Sequence, residues 1–148
     1  MKYKTTVVTL PELRLVVRQA TEFPQGIKAA WQELEAPLTT WRGRKFYGLT
    51  YAEESGLVYY AGLEPQDEAE ITRLGLPTLS IPGGDYARVK LMDWSNHTDE
   101  IGPIFDELMR HYEMKPGPTI EFYRSQTELH LLIPVSETSV DRSELLEK

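Results

Sequence analysis

The chain of 148 residues contains no cysteine. A disulfide framework and a thiolate metal site are therefore excluded. The absence fits a reducing cytosol, and a cytoplasmic location is expected. Histidine is scarce too: His97, His111 and His130 are scattered, with no i, i+4 pair, so no metal site is expected. No G-x-x-x-x-G-K-[ST] run occurs, which excludes that kind of phosphate cradle, and no cofactor is expected. No stretch approaches the roughly 18 apolar residues that span a bilayer. No apolar run of signal-peptide length follows Met1–Thr6. No membrane partner is expected. Basic residues are the minority, 16 against 23 acidic, for a net charge of −7. That field disfavours nucleic acid as a partner and mildly favours cationic ligands. The same charge also serves plain solubility.

What is present is an ordinary globular composition, 41% apolar and 26% charged. It is patterned as two similar halves. A β-branched opening run spans residues 3–9. Leu13, Leu15 and Val17 then alternate with Arg14 and Arg18, the period of a half-buried strand. Pro24 is suited to open a helix in which Ile27, Ala30, Trp31 and Leu34 share one stripe, and Pro37 ends it. Residues 45–51 and 57–63 read as a hairpin turning at Glu53–Gly56. After an acidic linker the second half repeats the order. It has a strand over 86–92 behind the Pro82-Gly83-Gly84-Asp85 turn, then a helix with the stripe Ile101, Ile104, Phe105, Leu108 and Tyr112. Asn96, Thr98 or Asp99 is its expected cap. A hairpin of 119–124 and 128–135 closes the half.

The expected fold is α+β, two tandem strand-helix-strand-strand modules with pseudo-twofold symmetry, antiparallel sheets and a cleft between them. Module one covers about 3–64, a linker about 65–77, module two about 78–135 and a charged tail 136–148, all within one domain.

Strand parity assigns faces. Leu129, Leu131, Ile133 and Val135 face the helices, which sends Glu128, His130 and Leu132 to the second face. The same logic puts Ile120 and Phe122 in the core and Glu121 and Tyr123 opposite. By the internal repeat, Phe46 is core and Tyr47 partners Tyr123. In the 57–63 strand, Tyr60 falls on the cleft side. The expected ligand-binding set is Tyr47, Tyr60, Trp94, Glu121, Tyr123, Glu128 and His130. Aromatic rings with a few ionisable groups suit a planar or cationic organic molecule. Each residue taken singly is equally at home in ordinary cross-strand packing. Trp94 and Trp41 could roof the cleft, whereas Trp31 reads as core.

Four segments in register resemble one family: Leu79-Ser80-Ile81-Pro82-Gly83-Gly84-Asp85-Tyr86-Ala87, Leu57-Val58-Tyr59-Tyr60-Ala61-Gly62-Leu63, Gly117-Pro118-Thr119-Ile120-Glu121-Phe122-Tyr123 and Leu131-Leu132-Ile133-Pro134-Val135. The chain is similar over residues 3–135 to GyrI-like small-molecule-binding domains, the effector-binding domains of multidrug-responsive transcription activators. The resemblance implies twin modules, a ligand cleft, hydrophobic and often cationic ligands, and a stand-alone member that does not itself bind DNA. Aligned on Ile133-Pro134-Val135, the place where the family usually carries a glutamate is His130. Glu128 and Glu121 are the nearby carboxylates.

Three functions stay open at this point. The first is cytosolic receptor or sequestering protein for a small molecule. The second is hydrolase of strained electrophiles, with Glu121, His130 and Tyr123 as candidate catalytic residues. The third is a modulator of a protein partner through the acidic linker 64–70.

Overall fold

A computed structural model describes residues 2–136. Its strands are β1 (Thr5–Leu10), β2 (Leu13–Gln19), β3 (Phe46–Glu53), β4 (Gly56–Leu63), β5 (Thr78–Ile81), β6 (Gly84–Met92), β7 (Thr119–Tyr123) and β8 (Glu128–Pro134). Helix α1 (Ile27–Glu35) lies between β2 and β3, α2 (Glu68–Leu74) between β4 and β5, and α3 (Ile101–His111) between β6 and β7. The class is α+β. All strands form one antiparallel eight-stranded sheet in the order β1-β6-β8-β7-β3-β4-β2-β5.

Each module contributes an opening strand followed by a strand-helix-strand-strand unit. The modules join edge to edge where β3 pairs with β7. The opening strands are exchanged. β1 opens module one but pairs with β6, and β5 opens module two but pairs with β2. This exchange ties the halves together at both outer edges as well as at the centre.

The apolar stripes work as the periodicity implies. In α1, Ala30 and Leu34 are buried; in α3, Ile104, Phe105 and Leu108 are. Burying a leucine of this kind stabilises by roughly 1.5–3 kcal/mol. Helix α1 packs over β4 and β2, and α3 over β8. Two cores result on this side of the sheet. One joins Leu34 to Tyr59, Ala61 and Leu63, and the other joins Leu108 to Leu129, Leu131 and Ile133.

A third core fills the opposite face. It includes Leu15, Tyr47, Leu49, Ile81, Tyr86, Ile120 and Leu132, with Val8, Tyr60 and Phe122 at its margins. Every strand contributes to it and no helix does. The sheet curls into a half-barrel around its own side chains, so both of its faces are buried.

Two local expectations are corrected. Helix α1 starts at Ile27, not at Pro24, because Pro24 lies in a preceding turn whose carbonyl accepts from the Ile27 N–H at 3.2 Å. Helix α3 is entered through two 3-10 turns, Trp94–Asn96 and Thr98–Glu100. Its cap position is therefore Glu100, with no side-chain capping bond, and not Asn96, Thr98 or Asp99. The expected charged tail lies, apart from Ser136, outside the described residues.

Candidate functional site

The central pair of strands runs between the two helices rather than beneath either. On the helix side β3 presents Phe46 and Gly48, and β7 presents Glu121 and Tyr123. In the ladder Phe46 opposes Tyr123, and Gly48 opposes Glu121. Glycine at position 48 leaves a hollow beside the Glu121 side chain. The hydroxyl of Tyr59, from β4, occupies it: a Cβ at Gly48 would lie 2.5 Å from that oxygen.

Above this floor the aromatic rings interlock. Tyr123 meets Trp31 edge-on at 5.6 Å and 89°, and Trp94 at 5.1 Å and 66°. Trp31 comes from the helix of module one and Trp94 from the turn after β6 in module two. One tyrosine at the seam is thus held by a tryptophan from each half. Such edge contacts contribute about 0.5–1.5 kcal/mol each beyond burial. Polar tips are satisfied as well. The Trp31 indole N–H donates to the Tyr59 hydroxyl at 2.9 Å, and that of Trp94 donates to the Ser125 carbonyl at 3.1 Å. The Tyr123 hydroxyl donates to Glu121 Oε1 at 2.5 Å.

Burial sets the protonation of this group. It raises the Glu121 pKa, an effect that the hydrogen bond from Tyr123 only partly opposes. It also pushes Tyr123 and Tyr59 well above the usual tyrosine value, with the Glu121 carboxyl adding to both shifts. Burial therefore favours the neutral forms of these hydrogen-bonding groups beneath the aromatic wall.

The wall opens into a cavity of about 990 Å³, lined by Trp31, Glu35, Trp41, Phe46, Trp94 and Tyr123 together with Arg42–Lys45 and Arg124–Gln126. Trp41 is 58% exposed at its rim. The loop carrying Trp41 is anchored by Arg44, which is buried against Glu70 of α2 and also donates to the Glu64 carbonyl.

The sequence-expected residues do not all meet. Trp94 and Tyr123 line this cleft, and Glu121 is hydrogen-bonded to Tyr123 behind its wall. Tyr47, Tyr60, Glu128 and His130 lie on the opposite face, inside the curl. Tyr47 stacks on Phe122 at 4.9 Å, not on Tyr123, and Tyr60 meets Tyr51 at 5.9 Å. His130 meets the Phe122 ring at 5.5 Å and binds Glu128 through Nε2 at 2.5 Å. Desolvation lowers the His130 pKa, and the hydrogen bond to His130 lowers that of Glu128.

The expectation that Phe122 faces the helices and Tyr123 shares a face with His130 is thus corrected. Matching Phe46-Tyr47 to Phe122-Tyr123 was one residue out of phase, and such a slip exchanges the two faces of a strand. The position aligned with the family glutamate, His130, points away from the aromatic cleft. Trp31, assigned to core, lines the cavity, and Tyr59 was missed. Gly48 on β3, diagonal to Tyr59 in the ladder, was the available signal.

The acidic linker is likewise less exposed than its composition suggests. Glu70 is 3% exposed and bound by Arg44 and Arg73.

Residues 4–135 match the model of the Cass2 family, described as integron-associated effector binding protein. The chain belongs to that family. Effector binding is the property the family carries. No curated protein matches the sequence. The fold is GyrI-like. An integron cassette protein of Vibrio cholerae is 14% identical with a TM-score of 0.62, over 88% of this chain and 95% of that one. The protein SAV2435, solved bound to tetraphenylphosphonium, is 16% identical with a TM-score of 0.65, over 90% and 94%. The C-terminal domain of EcmrR is 14% identical with a TM-score of 0.55, over 93% and 100%. Among the described residues no helix is long and apolar enough to cross a membrane.

Proposed function

We propose that the cleft around Tyr123 binds a flat, largely apolar organic molecule, and that the protein serves as a cytoplasmic receptor or sequestering protein for it without itself contacting DNA. The observation that carries this reading is the clamp of Tyr123 between Trp31 and Trp94, one from each module, at the floor of an open cavity. Large rings with few rotatable bonds present apolar area at low entropic cost. The effector-binding family and the tetraphenylphosphonium complex of SAV2435 support a small organic ligand in this fold.

A thermal-shift panel of planar aromatics tests it. Binding raises stability by RT ln(1 + [L]/Kd). Shifts that vanish in Trp94→Ala are expected. A panel without any shift, or shifts unchanged by that substitution, would contradict the reading.

A second reading is favoured by one pair. Glu121, its pKa raised by burial, is joined to Tyr123 at 2.5 Å. A carboxyl with a raised pKa holds its proton longer and can donate it to the leaving oxygen of a strained electrophile as water attacks the carbon. His130 is on the other face and is no part of this pair. Turnover of an epoxide or similar electrophile, lost in Glu121→Gln, is the expected result. Turnover that survives this change removes Glu121 from the reaction.

A further inference from the structure

The charge at the mouth of the cleft opposes that of the chain. The protein has 23 acidic residues against 16 basic ones. Around the cavity the balance inverts. Among the described residues Arg42, Arg44, Lys45 and Arg124 line it, against Glu35 as the one lining carboxylate. Arg44 is committed to Glu70. Arg42 and Lys45 are exposed, and among the described residues neither has an ion-pair partner. Arg124 is exposed and only loosely paired, 3.8 Å from Glu128.

The acidic groups nearby are weakened by their surroundings. Burial raises the pKa of Glu35 and of Glu121, whereas guanidinium groups stay charged at any working pH. A lipophilic cation on the aromatic wall would have a cationic rim around it. An anion is attracted by the same rim. The Trp41–Lys45 loop places its cations at the edge of the wall, so one ligand can meet both.

We propose that the ligand is an aromatic anion: an apolar ring system seated against Trp31, Tyr123 and Trp94, with a carboxylate, sulfonate or phosphate held at the rim by Arg42, Lys45 and Arg124. This rests on the cleft being the binding site. It adds a sign of charge, which the aromatic wall alone does not specify. Guanidinium groups favour oxyanions because their planar fork matches two oxygens at once. Exposed rim charges act with strong salt dependence.

The test compares two fluorescent probes with the same ring body, anilinonaphthalene sulfonate and neutral phenylnaphthylamine, with tetraphenylphosphonium as the aromatic cation. Each is titrated into the full chain at low salt and at about 1 M salt. The sulfonate is expected to bind roughly ten-fold tighter than the neutral probe at low salt, from a few exposed charge contacts. Salt should shrink that advantage. The double variant Arg42→Glu, Lys45→Glu should abolish it, so that the sulfonate binds no tighter than the neutral probe. Trp94→Ala should weaken both probes.

Equal affinities for the two probes, tighter binding of the cation, or an advantage that survives charge reversal would each overturn the proposal while leaving the cleft intact. Failure of both probes to bind, or binding indifferent to Trp94→Ala, would overturn the cleft reading and the proposal with it.

Discussion

The hydroxyl of Tyr59 rests over the bare backbone of Gly48, closer than any side chain there would permit. From that seat it accepts the Trp31 indole N–H. A single missing Cβ on β3 therefore positions an aromatic from β4 and, through it, one from α1.

Gly48→Ala forces Tyr59 out of this seat. Overpacking of this kind destabilises by about 1–3 kcal/mol. Urea denaturation should show that loss. Combining it with Tyr59→Phe, which removes the clashing oxygen, should recover part of it. Equal stability of Gly48→Ala and wild type would show that the seat is not tight.

The Arg44–Glu70 pair is buried, whereas Arg14–Glu68 on the same helix is exposed. Removing one member of a buried pair strands the other, at about 3–5 kcal/mol. Glu70→Ala is expected to lose that much, and Glu68→Ala no more than about 1 kcal/mol. Chemical denaturation of both variants checks the contrast. A mild Glu70→Ala would mean that Arg44 finds water instead.

One carboxyl and one imidazole, both shifted by desolvation, give pH dependences of opposite sign. The Glu121 pKa is raised on folding, so the unfolded chain releases its proton first as pH rises. Its contribution is complete below the usual glutamate value of 4.5 and falls as pH climbs through the raised value. The denaturation midpoint of wild type minus Glu121→Gln should therefore decline with rising pH.

His130 behaves the other way. Its pKa is lowered from 6.5, so its contribution is present above that value and is lost as pH falls through the folded one. Arg88 and Lys90 reinforce the lowering, while Glu128 resists it. Wild type minus His130→Gln should rise with pH across that window. Differences flat in pH would contradict either assignment.

The order of elements could be read from alternation and helical stripes because those periods answer directly to burial. Thr78–Ile81 and the hairpin turn after Glu53 are examples. Which way Phe122 and Tyr123 point could not be read so. The rule that one face of a strand is apolar and the other wet fails when the sheet curls. Ile120 and Phe122 are then as apolar a set as a helix-facing pair would be. The candidate site split for the same reason. Glu121, Tyr123 and Trp94 belong together, while Tyr47 and His130 obey the opposite parity. Trp31 falls on its helix stripe whether it packs or binds, and only its neighbours Tyr59 and Tyr123 distinguish the two.

A crystal structure of the protein with a planar aromatic ligand bound decides between the two faces of the sheet. The ligand is expected between α1 and the turn after β6, in contact with Trp31, Trp94 and Tyr123. Density for it inside the curl, against Tyr47 and His130, would contradict the account.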